Sequence, residues 1–324
     1  SDLDGNGISR ALGSQAAWVD LTKQGCQLCH QMGNRFTFDS SHLAQFDSTL
    51  GGVKIGVQTY SFRALPRSPG EDQAEAIIQA MTRCRIGDCE LWSPMLEPVS
   101  GVGRDASPDA RRQARDELRR WRVETPLSHF EAIRDRFTAA GLTIYGFNYS
   151  FDDSFSDDEI DRGFEIARAL GAEIITASST LSAMKRVVPF AARHQMVVAV
   201  HNHSNISDPN EFARPESFAA AMALSPYVKV NLDIGHFTAA NYDPVAYLRE
   251  HHASISNLHL KDRRRDQGAN VPWGTGDTPI REVLQLLQRE RWPIRAHVEY
   301  EYRGSGSPVD EVIRCYNYVK QALV

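Results

Sequence analysis

The chain has 324 residues, 42% hydrophobic and 24% charged, the balance of an ordinary globular protein with ample material for a buried core. Its formal net charge of −5 excludes a protein that holds a polyanion through its overall field, so nucleic acid is not an expected partner. No run approaches the ~18 consecutive apolar residues of a membrane span, and five scattered cysteines do not form a disulfide framework.

Residues 1–50 are rich in Gly, Ser and Gln with little apolar periodicity, and they read as an irregular extension. Within them Cys26-Gln27-Leu28-Cys29-His30 matches the C-x-x-C-H pattern, in which two thiols attach a haem c and the histidine takes its iron. Cys26, Cys29 and His30 are therefore candidate haem attachment residues. Haem there would make the protein periplasmic; without it the expectation is cytoplasmic.

Residues 51–324 alternate short β-branched or aromatic runs with helical stretches. The runs are Lys54–Arg63, Cys89–Pro94, Thr143–Phe151, Glu173–Thr180, Met196–Ser204, Val228–His236, Ile255–Asp262 and Arg295–Tyr302. Helical patterns between them include Glu71–Cys84, Leu127–Ala140, Asp157–Leu170, Leu181–His194, Pro279–Arg289 and a closing Pro308–Leu323, with Gly141 and Gly171 as stop signals. Eight strand–helix cycles predict an α/β fold, a closed (β/α)8 barrel of parallel strands. Residues 101–126, where Arg alternates with Asp and Glu, read as a solvated helical insertion after the second strand.

In such a barrel the carboxyl ends of the strands converge on one mouth. Strand five ends in His201-Asn202-His203, strand six in Asp233-Ile234-Gly235-His236, strand seven in His259-Leu260-Lys261-Asp262 and strand eight in Glu299-Tyr300-Glu301. Any one of these has a structural explanation as a hydrogen-bonded core histidine or a helix cap. Four consecutive strands ending this way place ionisable groups at equivalent depth, where a shared cation would satisfy all of them. His201, Asp233, His259 and Glu299 are the candidate ligands. Two imidazoles and two carboxylates suit Mn²⁺, Zn²⁺ or Co²⁺ better than Ca²⁺. Around them His203, His236, Lys261 and Glu301 are candidate proton carriers, substrate contacts or orienting partners.

The motifs Gly56-Val57-Gln58-Thr59-Tyr60-Ser61-Phe62, Glu90-Leu91-Trp92, His201-Asn202-His203, Asp233-Ile234-Gly235-His236, His259-Leu260-Lys261-Asp262, Gly274-Thr275-Gly276 and Glu299-Tyr300-Glu301 follow one another in an order that resembles the xylose isomerase-like TIM barrels, the sugar phosphate isomerases/epimerases and their relatives. The resemblance covers residues 51–324. It implies a divalent-metal-dependent isomerase or epimerase that removes a proton beside a sugar carbonyl, with the enediolate stabilised by the metal. It also implies that Asp233, His259 and Glu299 stand at metal positions and His236 and Lys261 on the substrate side. Many members have Glu where this chain has His201, so of the paired carboxylates only Glu299 is left. His201, His203 or Glu301 must then supply the second proton carrier, and a lyase acting on 3-keto glycosides or C-glycosides is the rival reading.

The candidate catalytic set is therefore Glu299, His203, Lys261 and Glu301, and the candidate substrate contacts are His236, Trp92, Tyr60, Glu90 and Phe237. Tyr60, Phe62, Trp92, Phe147, Tyr149, Phe237 and Trp273 sit at or beyond strand ends, where flat rings could stack on a sugar or simply pack in the core. Gly274 and Gly276 could offer amides to a phosphate. An endonuclease would need further His and Glu ligands from strands two to four, which supply only Glu90. A non-catalytic sugar-binding barrel is the remaining alternative. The expected partner is a small carbohydrate, with no nucleic acid or membrane; a homo-oligomer is allowed.

Overall fold

Hydrogen bonding and side-chain parity together explain the architecture, which a computed structural model describes for residues 46–67, 72–103 and 105–323. The Cys26, Cys29 and His30 motif lies outside these residues. Eight parallel strands close on themselves: β2 (Val53–Gln58), β3 (Asp88–Trp92), β4 (Thr143–Asn148), β5 (Ile174–Ala177), β6 (Val197–His201), β7 (Val228–Asp233), β8 (Ile255–Leu260) and β9 (Arg295–Val298). Each pairs with the next, and β2 closes onto β9 with Ile55 opposite Ala296 and Val57 opposite Val298. A two-residue β1 (Thr49–Leu50) pairs antiparallel with β2, and the Phe46 amide donates to the Gly141 carbonyl at 3.1 Å. The strand pairing of this unit thus begins before residue 51, the start expected from the alternation.

Helices cover the outside: α1 (Ala74–Cys84), α2 (Pro108–Glu124), α3 (Leu127–Ala139), α4 (Asp157–Ala169), α5 (Leu181–His194), α6 (Pro215–Met222), α7 (Ile234–Ala239), α8 (Pro244–His251), α9 (Ile280–Glu290) and α10 (Pro308–Leu323). Their ends follow from local chemistry. Ser156 and Glu159 form a reciprocal capping box at the start of α4, and Gly141 and Gly171 take the left-handed conformation beyond α3 and α4. Helix α2 is the expected insertion, and none of its residues is buried. Ion pairs hold it down: Arg119 and Arg122 reach Glu159 at 2.8 and 3.3 Å, and Arg122 reaches Glu97 at 2.9 Å.

Side chains alternate along each strand, so one set packs against the helices and the other fills the barrel. The outward set is apolar, including Ile55, Val57, Leu91, Val198, Val200, Leu232, Leu258 and Val298. Much of the inward set is polar: Gln58, Glu90, Asn148, Thr176, Asn231, Asn257 and His297 are all buried. Two residues further along β7, β8 and β9, the same inward rows reach the mouth as Asp233, His259 and Glu299.

Helix α4 approaches the barrel at Gly163, where an added Cβ would stand 2.4 Å from Cε1 of the fully buried Tyr149. Gly163→Ala is expected to destabilise the fold by about 1–3 kcal/mol through overpacking, read as a lower urea midpoint. An unchanged midpoint would show that the ring yields freely.

Candidate metal centre and active site

One atom from each of four neighbouring strand ends points to a common place. His201 Nε2, Asp233 Oδ2, His259 Nδ1 and Glu299 Oε2 lie within 4.8 Å of one another. Each is buried, and none has a hydrogen-bond partner of acceptable geometry. His259 Nδ1 is 3.0 Å from Glu299 Oε2, and His201 Nε2 is 3.5 Å from Asp233 Oδ2. Ligand atoms about 2.0–2.2 Å from one zinc ion stand roughly 3–4 Å apart, so this donor set fits a single divalent cation.

The other polar atom of three of these groups is anchored, which explains their aim. His259 Nε2 donates to Glu90 Oε2 at 2.8 Å, which fixes the ring plane and turns Nδ1 to the site. His201 Nδ1 meets Ser178 Oγ at 3.1 Å, and Asp233 Oδ1 caps α7 by accepting from the His236 amide at 2.7 Å. Asn202 locks β6 to β7: its side chain accepts from the Asp233 amide at 2.9 Å and donates to the Asp233 carbonyl at 3.1 Å.

Glu90 itself sits in the barrel centre, fully buried. It accepts from Gln58 Nε2 at 2.5 Å, Thr176 Oγ1 at 2.6 Å, Asn257 Nδ2 at 3.0 Å and Asn148 Nδ2 at 3.1 Å. Burial would raise its carboxyl, but His259 and His297 outweigh that and hold it well below the usual range. The expectation that Glu90 touches substrate is therefore corrected: its oxygens are already satisfied beneath the mouth. Glu90, His259 and His297 also lie close enough to hold an ion, but none of the facing atoms of Glu90 or His297 is without a partner.

Lys261 is buried with its ammonium 2.9 Å from both Asp233 Oδ2 and Glu299 Oε2 and 2.7 Å from Glu301 Oε2. Burial alone would lower its pKa, yet three carboxylates drive it far above the ordinary lysine value, so it stays charged. The Glu299 carboxyl, which burial would raise, is brought to about 2 by Lys261 and His259. His203 Nδ1 stands 3.1 Å from Glu211 Oε1. Partial burial and then the charges of His201 and Lys261 lower its pKa to about 4, so its imidazole is neutral near pH 7. His236 Nδ1 accepts from Arg263 Nη1 at 2.6 Å, and burial followed by Lys261 keeps this ring neutral as well.

These groups border a pocket of about 230 Å³ with Tyr60 and Trp92 on its wall, their rings edge-to-face at 4.7 Å. Glu299, Glu301, His203, His236 and Lys261 all line it. Phe237 does not. It lies in α7, where the helical turn directs it into the core against Tyr242 and Tyr247, each with ring centroids 5.0 Å away, so its expected substrate contact is corrected. Phe62, Phe147 and Tyr149 are likewise core residues, and Trp273 packs edge-on against Tyr318. The amides of Gly274 and Gly276 donate to Asp262 Oδ2 at 2.8 and 3.0 Å, so the anion they hold is the chain's own. Sequence reasoning missed Ser178, Glu211, Arg263 and Asn270, which serve the site by hydrogen bonding or charge. Only Ser178 carried a signal, as a polar residue at the end of the fourth run.

A family model described as a xylose isomerase-like TIM barrel matches residues 102–318. Similar solved structures include a sugar phosphate isomerase/epimerase from Parabacteroides distasonis, 16% identical over 86% of this chain and 97% of that one, TM-score 0.57. A 3-keto-D-glucoside 4-epimerase, YcjR, from E. coli is 12% identical over 83% and 99%, TM-score 0.56. A xylose isomerase domain containing protein from Salmonella typhimurium is 15% identical over 85% and 99%, TM-score 0.57. No curated protein matches the chain.

If Glu90 orients His259, Glu90→Gln should weaken divalent-cation binding by about 10–100-fold in calorimetric titration with Mn²⁺ or Zn²⁺ while preserving one ion per chain. Unchanged affinity would contradict the orienting role.

Proposed function

The chain belongs to the xylose isomerase-like TIM barrel family, and from that premise we propose that it is a divalent-metal-dependent isomerase or epimerase of an unphosphorylated sugar, acting by proton transfer beside a carbonyl. The observation that carries this reading is the convergence of four buried candidate ligand atoms, two of them paired with Lys261, beside a pocket bordered by proton carriers from two different strand ends. A divalent cation bound there would supply positive charge to the carbonyl and hydroxyl oxygens of a sugar, favouring an enediolate.

His201, Asp233, His259 and Glu299 would hold the ion, and the protein's other groups would do the rest. His203, neutral and oriented by Glu211, accepts a proton on the strand-five side. Glu301, held by Lys261 and by Asn270 Nδ2 at 3.3 Å, exchanges one on the strand-eight side. His201 is not free for that task, because Ser178 engages Nδ1 and Nε2 faces the ligand cluster. Lys261 cannot act as a base while charged; its role is to fix the three carboxylates. Tyr60, Trp92 and His236 contact the sugar.

The charge pattern favours a sugar without phosphate. Among the described residues lining the pocket, Lys261 is the one lysine or arginine, and three carboxylates engage it. A second reading is a lyase. With an imidazole at the strand-five ligand, carboxylates stand only toward strands six and eight, an asymmetry suited to one-way proton removal followed by loss of a substituent.

Solvent deuterium incorporation into unphosphorylated ketoses and 3-keto glycosides tests the reading. His203→Gln and Glu301→Gln should each retain the ion and slow exchange by about 10²–10⁴-fold, the range for losing a general acid or base. Full-rate exchange in both variants would contradict these roles. Matched sugars with and without a phosphate ester separate the substrate classes: the ester should exchange more slowly, and faster exchange would overturn the unphosphorylated assignment.

A further inference from the structure

A second cleft of about 360 Å³ adjoins the metal pocket and shares Trp92 and Ser150 with it. Its outer wall is the insertion helix α2, which presents Ala114, Leu118 and Arg122. Helix α2 has no fully buried residue; its Trp121 packs against the core, whereas Ala114 and Leu118 line the cleft instead. Yet the helix is firmly held. Arg122 is only 12% exposed and binds Glu97 and Glu159, which are less exposed still.

The same guanidinium lies 4.7 Å over the Phe155 ring, so a flat surface with apolar and polar edges faces Trp92 across the cleft. Arg115 is compensated by Asp152 at 3.3 Å, and Arg122 by its two carboxylates, so the cleft offers ring faces and hydroxyl-sized polar groups rather than net charge. Such a lining suits an uncharged sugar or aryl ring. At about 230 Å³ the metal pocket falls below the roughly 300–1,000 Å³ of ordinary ligand sites, whereas its volume taken with that of the neighbouring 360 Å³ cleft falls within that range.

We propose that this cleft is a subsite for the second ring of a two-ring glycoside. The reacting sugar sits at the four-ligand cluster, and its uncharged substituent lies between Trp92 and α2. The inference rests on the proton-transfer reading above and adds the substrate class. Recognition of the second ring is then supplied by a helix that has no part in the chemistry.

The test compares solvent deuterium exchange, by proton NMR, of a methyl 3-keto-glucoside with that of its phenyl and glucosyl counterparts, using the metal-loaded protein. The two-ring compounds should show kcat/KM at least about tenfold higher, and Leu118→Trp, which fills the cleft, should erase most of that ratio. Ala114→Trp obstructs the same cleft from another turn of α2 and should act alike. Equal exchange of one-ring and two-ring compounds by the wild type, or an advantage that survives both variants, overturns the subsite while leaving proton transfer in place. Exchange with none of the compounds overturns the proton-transfer reading, and the subsite with it.

Discussion

The contact between Glu90 and His259 is the constraint from which the rest of the mouth follows. An ionised carboxylate in a barrel centre costs several kcal/mol unless its oxygens are satisfied. Here the donors come from β2, β4, β5 and β8 as Gln58, Asn148, Thr176 and Asn257, so closing the barrel and stabilising the charge are one event. Glu90 also takes His259 Nε2, which fixes the ring plane and leaves Nδ1 to face Asp233, Glu299 and His201. An apolar interior of equal volume would fill the same space, but would leave that imidazole free to choose either nitrogen.

Above this floor the charges are arranged in tiers. Lys261 holds Asp233, Glu299 and Glu301 together, and its charge keeps Asp233 and Glu299 ionised at close quarters. His203 and His236 remain neutral beside it. The mouth thus contains acceptors on one side, uncharged imidazoles on the other and one fully engaged ammonium between them, an arrangement suited to moving protons on a neutral molecule.

Much of this was legible in the residues. Eight runs separated by helical patterns gave the barrel, and Leu181–His194 was readable to its ends because Thr180 caps its start. The convergence of His201, Asp233, His259 and Glu299 was legible because period-two alternation after apolar runs leaves them at one depth. Depth was harder on β3, where Glu90 and Trp92 share a parity but one is sealed in the interior and the other lines the pocket. Phe237 was misplaced because Asp233 starts a helix and changes the period from two to 3.6, returning the ring to the core. The Gly274 and Gly276 amides were misjudged because their acceptor, Asp262, is remote in sequence and appears only once β8 and the following loop are folded. No pattern in the Arg263-Arg264-Arg265 run distinguishes the residue that reaches His236.

The central claim is that these four side chains grip one ion, and X-ray absorption of the zinc-loaded protein reads that coordination directly. The account predicts a first shell of nitrogen and oxygen with the multiple-scattering signature of two imidazoles, reduced to one in His201→Ala. A shell without imidazole, or one that His201→Ala leaves intact, would contradict it.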